Sequence, residues 1–237
     1  KSLNLSSILD DNDQFGGHIG LTKDGKILAV GTHLDDGYNN DATDSGAIHL
    51  FTFDDSDFTN ATYAASIGID YEGGKNYDTS GISGWKAAQV AIDGDGNRLA
   101  IGHHNEEDVR IFGFQDTSLN GASLQFTIGI GQTGSNSVNA ASHGVEDGDG
   151  FPNVIALDDT GTLMAVGSTG DDGLSNRASD TGAVYLWSDT IMQGATSYTD
   201  FASDDVVINI TELEEFLNNG VEVTLQANTD ITISSAI

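Results

Sequence analysis

The stretch FGGHIGLTKDGKILAVGTHLDDG, from Phe15 to Gly37, places two apolar runs on either side of the turn signal TKDGKI. Asp24 and Gly25 supply the residue types of a tight hairpin, so a strand precedes the turn and LAVG begins the next one. LAVG at Leu28 to Gly31 returns as LAIG at Leu99 to Gly102 and as MAVG at Met164 to Gly167, offset by 71 and 65 residues. Each copy follows its own Asp- and Gly-bearing turn, DGDGNRL from Asp93 and LDDTGTL from Leu157. Self-similarity at such a period marks a repeat architecture.

Working outward, the first unit holds four strand candidates, FGGHIGLT, ILAVGTHL, GAIHLFTF and ATYAASIGI. The second repeats them as WKAAQVAI, RLAIGHH, DVRIFGF and SLQFTIGIG, and the third shows NVIAL, LMAVGST and GAVYLW. Four strands per unit is the count of a propeller blade, and the competing arrangement is a sandwich of hairpins. The predicted fold is all-β: about three β-propeller-like, four-stranded blades followed by a small β-rich segment with one short helix. The boundaries read as 1–9 for the last strand of a preceding blade, 10–68, 69–131 and 132–200 for the three repeats, and 201–237 for the C-terminal helix and strands. Three blades are too few to close a ring, since propellers use roughly four to eight. The chain is therefore expected to be a piece of a longer array, to complete itself by oligomerising, or to stack its blades openly. The small residues of LAVG suit a crowded strand where neighbouring blades converge, although its glycine equally suits a β-bulge.

Composition narrows the function. Eight basic residues against thirty-seven acidic ones give a formal net charge of −29, which repels nucleic-acid phosphates and anionic lipid. No run approaches the roughly 20 apolar residues that span a bilayer, and the absence of cysteine excludes thiolate nucleophiles and cysteine metal sites. The acids are spread along a chain that is still 38% hydrophobic, as expected of a folded acidic surface.

One acidic loop is written twice. DDGYNNDATDSGA, Asp35 to Ala47, and DDGLSNRASDTGA, Asp171 to Ala183, agree at eight of thirteen positions without a shift. Asp35, Asp36, Asn40 and Asp44, with Asp171, Asp172, Asn176 and Asp180, offer hard oxygens of the kind calcium takes six to eight at a time. The alternative is a compact loop whose Asp and Asn side chains cap their own backbone amides. The second unit passes from HHNEED straight into VRIF, so the loop is not needed to build a blade.

His103 and His104 beside Glu106, Glu107 and Asp108 suggest a metal, but neighbours on a strand point to opposite faces, which favours a solvated turn. His18 and His33 lie within reach of each other across the first hairpin. Trp85, Trp187, Tyr185 and Phe51 occupy strand positions suited to core or blade-to-blade packing. No nucleophile elbow, Walker loop, zincin helix or dinucleotide fingerprint occurs, so the chain is expected to be non-enzymatic.

FGGHIGLTKDGKILAVGTHLDDG with GAIHLF resembles the FG-GAP type of propeller repeat found in integrin-like proteins and in very long bacterial surface proteins, over roughly residues 10–190. The resemblance implies extracellular blades used in adhesion, often with calcium in their loops. Asp93, Asp95 and Asn97 in DGDGN come nearest to the family's calcium signature. LEEFLNNGVEVTLQANTDITISSAI at the C-terminus is similar to segments of filamentous-haemagglutinin-type secreted adhesins. Together these imply a calcium-stabilised structural or adhesive module at the cell surface, whose partners are other copies or neighbouring repeats and a surface glycan or protein. The alternatives are a glycan-binding or glycan-hydrolysing propeller and a filament subunit joined by strand exchange.

Overall fold

The computed structural model describes residues 8–103, 106–134, 136–172 and 179–188. All fall within the first of the two compact units into which the chain divides, Lys1–Gly194. They form thirteen strands, one short 3₁₀ helix and no helix long and apolar enough to cross a membrane.

The described residues fold into three separate sheets. The first is a meander of β1 (Phe15–Leu21), β2 (Ile27–Thr32), β3 (Ala47–Thr52) and β4 (Thr62–Gly68), in that order and antiparallel. A two-residue strand, β5 (Tyr77–Asp78), adds to β4 in parallel. The second sheet repeats this with β6 (Gln89–Ile92), β7 (Arg98–His103), β8 (Asp108–Gly113) and β9 (Ser123–Gly129), and β10 (Ser137–Asn139) adds in parallel. The third holds β11 (Val154–Leu157), β12 (Leu163–Ser168) and β13 (Ala183–Ser188). These are propeller-type blades, and among the described residues they close no ring. The short helix, Ala140–His143, is capped by the Asn139 side chain and ends at Gly144 in the left-handed region. The sequence expectations for residues 1–7 and for the C-terminal segment fall outside the described residues.

First strands of successive sheets are neighbours, β1 beside β6 and β6 beside β11. Both faces of the middle sheet are buried, which is why its strands read as near-continuous apolar runs. Ile48 and Leu50 of the first sheet meet Val90, Leu99, Ile101 and Phe112 of the second in one core cluster. Val109, Ile111, Phe126 and Ile128 on the other face of the second sheet meet Ile155, Met164, Val166 and Trp187 of the third.

The glycine ending each LAVG-type motif is explained by close approach rather than by a bulge. A methyl group at Gly31 would lie 2.5 Å from the carbonyl oxygen of Ala88, and one at Gly102 would lie 2.7 Å from Pro152. The register shifts carry their extra residues on other strands, at Phe15/His18 in β1 opposite Gly31 and Thr32, at Leu50/Phe51 and at Ile111/Phe112. Trp85, Trp187 and Phe51 are buried, as the packing reading expects.

Candidate functional site

The repeated loop leaves β2 and returns as β3. Its first residue, Asp35, is buried, and its carboxylate faces inward. Asp35 Oδ1 accepts from the Gly37 amide at 2.9 Å, and Oδ2 accepts from the Tyr71 hydroxyl at 3.0 Å and contacts His49 Nε2 at 3.2 Å. His49 in turn bonds Ser66 through Nδ1, and Ser66 also bonds the Tyr63 hydroxyl at 2.7 Å. Burial and the neighbouring Asp35 carboxylate push the Tyr71 hydroxyl well above its ordinary pKa, so it serves as a donor.

Asp36 caps the loop backbone, and Asn40 ties the loop to the segment before β1. Asp36 Oδ1 accepts from the Asp44 amide at 2.7 Å, and Asn40 donates through its side-chain amide to Asp10. Asn40 and Asp44 sit at φ 57° and 50°, the left-handed region that Asn and Asp tolerate best after glycine. The loop is shut by the Gly46 amide donating to the Asp35 carbonyl at 2.8 Å.

The second copy is built the same way. Asp172 Oδ1 accepts from the Asp180 amide at 2.8 Å, Asp180 has φ 53°, and Gly182 donates to the Asp171 carbonyl at 2.9 Å. Asp171 is buried and accepts from the Tyr185 hydroxyl. Burial and Asp171 raise the Tyr185 hydroxyl in the same sense as Tyr71. Asn176 lies outside the described residues.

The second sheet lacks the loop yet keeps the pair. Arg110, at the position of His49 and Tyr185, donates from Nη2 and Nε to Asp108 Oδ2 at 2.8 and 3.2 Å. Here the carboxylate comes from two residues earlier on the same strand. The guanidinium also lies 5.9 Å from the centre of the Trp85 ring, and His103 packs edge-on against that ring at 4.7 Å. His103 is fully buried, which corrects the expectation of a solvated turn. Its Nδ1 is 2.8 Å from Asp108 Oδ1 but without hydrogen-bond geometry, and burial lowers its pKa against the pull of that carboxylate. His104 is outside the described residues.

The arrangement is thus one buried donor and carboxylate pair per sheet, with three different donors. Several of the acids offered for calcium are turned onto partners within the protein. Asp35 is surrounded by donors, Asp36 and Asp172 cap amides, and calcium needs six to eight oxygens turned on one point. In DGDGN, Asp93 Oδ1 accepts from the Asn97 and Arg98 amides at 2.9 and 3.0 Å, closing the β6–β7 turn, while Asp95 and Asn97 face outward. Among the described residues, no group of three or more His, Asp or Glu is placed to hold a metal ion.

A crevice of about 450 Å³ opens between the first two sheets, lined by His18, His33, Asp44, Lys86 and Gln89 among others. His18 and His33 line it together, and His18 is held below its ordinary pKa by burial and by His33. Lys86 Nζ is occupied by the carbonyls of Thr43 and Asp44, at 3.2 and 2.8 Å.

No protein-family model matches the chain, and no curated protein does. Solved structures do. The chain is similar to the periplasmic gluconolactonase of Pseudomonas aeruginosa at 11% identity, covering 76% of this chain and 41% of that one with a TM-score of 0.43. It is similar to the Cps50 (Swd1) beta-propeller domain of Myceliophthora thermophila at 15% identity, covering 73% and 39%, TM-score 0.36. A putative 6-phosphogluconolactonase of Bacteroides fragilis matches at 11% identity, covering 66% and 35%, TM-score 0.40. The chain spans between 31% and 41% of the length of the first five structures matched.

Proposed function

We propose that the chain is a non-enzymatic structural module: stacked four-stranded repeats of a bacterial surface protein or fibre, acting in adhesion outside the cell. The observation that supports this reading is the fate of the chemistry-bearing side chains. In each sheet the buried carboxylate is directed inward onto His49 and Tyr71, onto Arg110, or onto Tyr185, where it holds loop to strand. Such groups stiffen a scaffold. The chain as a whole carries a formal net charge of −29, which suits a solvated acidic surface and basic or neutral partners.

A second reading, a small-molecule or glycan site, rests on the crevice at His18 and His33. One experiment separates the two. Purified chain is tested for saturable binding to immobilised glycans and matrix proteins, and for turnover of lactones and aryl glycosides, alongside the His18→Ala/His33→Ala double variant. The module reading expects surface binding that the variant retains, with no turnover. Turnover that the variant loses would replace it with the second reading.

A further inference from the structure

The three sheets present equivalent residues to one another, and the alignment of their motifs identifies which face is which. Ile48 and Leu50 in β3 correspond to Val109 and Ile111 in β8 and to Val184 and Leu186 in β13. In the first two sheets these positions pack on the following sheet and are 0% exposed, except Ile111 at 1%. In the third, Val184 is 67% and Leu186 72% exposed, with Val154 and Leu163 exposed beside them. The motif glycines agree. A methyl at Gly31 or Gly102 would strike the following sheet, whereas at Gly167 it would meet only Val154 of its own sheet.

The opposite face shows the same thing in reverse. Ile19 and Leu21 of β1 correspond to Val90 and Ile92 of β6, which are buried against the preceding sheet at 5% and 7%. Ile19 is 66% and Leu21 46% exposed. Deeper on this face, Phe51 is already closed over by the rings of Phe15 and Tyr63, so the open part is the β1 strand itself. Two apolar faces of this kind, each the complement of the other by the rule of the two internal interfaces, are unusual on a monomer.

We infer that a second copy of this chain docks head to tail, its β1 face against the β13 face of the first. This goes beyond the module's proposed role and does not depend on it. The contact continues an interface the chain already makes twice, and it is heterologous, so two copies close on each other if the rotation permits. The three described sheets from each copy give six, inside the roughly four to eight at which propellers close. The union is by stacked faces, not by exchanged strands.

The test is sedimentation equilibrium of the full chain over a range of concentrations, at roughly 0.15 M salt where the Debye length is about 8 Å and the acidic surfaces are screened. Ile19→Asp and Leu186→Asp are run separately and as an equimolar mixture. Both side chains are exposed, so far-UV circular dichroism spectra should match the wild type and show that the fold is kept. The wild type is expected to reach twice the chain mass and stop there. Each variant alone should be monomeric, and the mixture should dimerise again through the one interface both substitutions spare. A wild type monomeric to about 100 µM overturns the inference. So does a dimer that Leu186→Asp abolishes but Ile19→Asp keeps, which would mean that like faces pair. A wild-type monomer whose melting temperature falls in Leu186→Asp would assign the face to the chain itself and likewise overturn it.

Discussion

Arg110 stands in β8 where His49 stands in β3, and each is turned onto a buried aspartate, Asp108 and Asp35. Tyr185 and Asp171 complete the series in β13. The constant feature is the carboxylate held inside the sheet by a donor from the middle of the third strand, while the donor's chemistry varies. Removing the carboxylate leaves that donor buried without its partner, which costs more than the net worth of the bond.

Asp35→Ala should therefore lower stability by about 2–3 kcal/mol, because the Tyr71 hydroxyl, His49 and the Gly37 amide all lose an acceptor. Asp36→Ala, which removes one exposed amide cap, should cost about 1 kcal/mol or less. Urea unfolding of the two variants checks the ranking. Equal losses would mean that the loop, not the interior pair, carries the energy.

The indole Nε1 of Trp85 donates to the Gly46 carbonyl at 3.0 Å, tying the first loop to the second sheet. Trp85→Phe keeps the ring and should cost about 1 kcal/mol for the lost bond and its packing. Gly46→Ala should cost more than that. Gly46 has φ 72° and a methyl there would sit 2.0 Å from the Ala87 carbonyl oxygen, so backbone must move. In a double-mutant cycle the two should fall short of additivity, since displacing Gly46 already breaks the Trp85 bond.

Most of the strand plan was legible because Asp–Gly turns and apolar runs alternate with little ambiguity, and the eleven long strands fall where those signals lie. The two parallel edge strands were not, since Tyr77–Asp78 and Ser137–Asn139 are too short to show a period. The inward turn of Asp35 was not legible for a physical reason: an aspartate is expected outside, and Asp35 reaches Tyr71, 36 residues away in sequence. A signal did exist. Asp35 to His49 and Asp171 to Tyr185 are both spacings of 14, a donor at a fixed distance from a fixed acid. His103 was readable too, because Leu99, Ile101 and His103 alternate onto one buried face.

Calcium provides a direct check on the interior reading of these acids. Thermal unfolding in millimolar calcium and in EDTA, at matched ionic strength, should give the same melting temperature. A site filled to about 100 times its dissociation constant would add roughly 2.7 kcal/mol and raise the midpoint by several degrees. A rise of that size would return the loops to the metal-binding role.

Acidification should act through His103. Burial holds its folded pKa below the ordinary 6.5, against the contact with Asp108. The unfolded chain thus takes up a proton near 6.5 that the folded chain refuses, and ∂ΔG/∂pH is positive there. Stability is present above pH 6.5 and is lost as pH falls below it, at up to about 1.4 kcal/mol per pH unit for one proton. His18 and His143, also lowered by burial, add to the slope. Asp13, Asp93 and Asp149, raised by burial, act the opposite way, each contributing stability that is present when protonated and is lost as pH rises through its folded value. Comparing the wild type with His103→Gln between pH 7.5 and 5.5 cancels these shared contributions. The variant should be less stable throughout but lose less on acidification, by up to one proton's worth of slope. Parallel pH profiles would show that the fold leaves His103 with its ordinary affinity for protons, and a wild type that gains stability relative to the variant on acidification would show it charged and paired with Asp108 rather than silenced by burial.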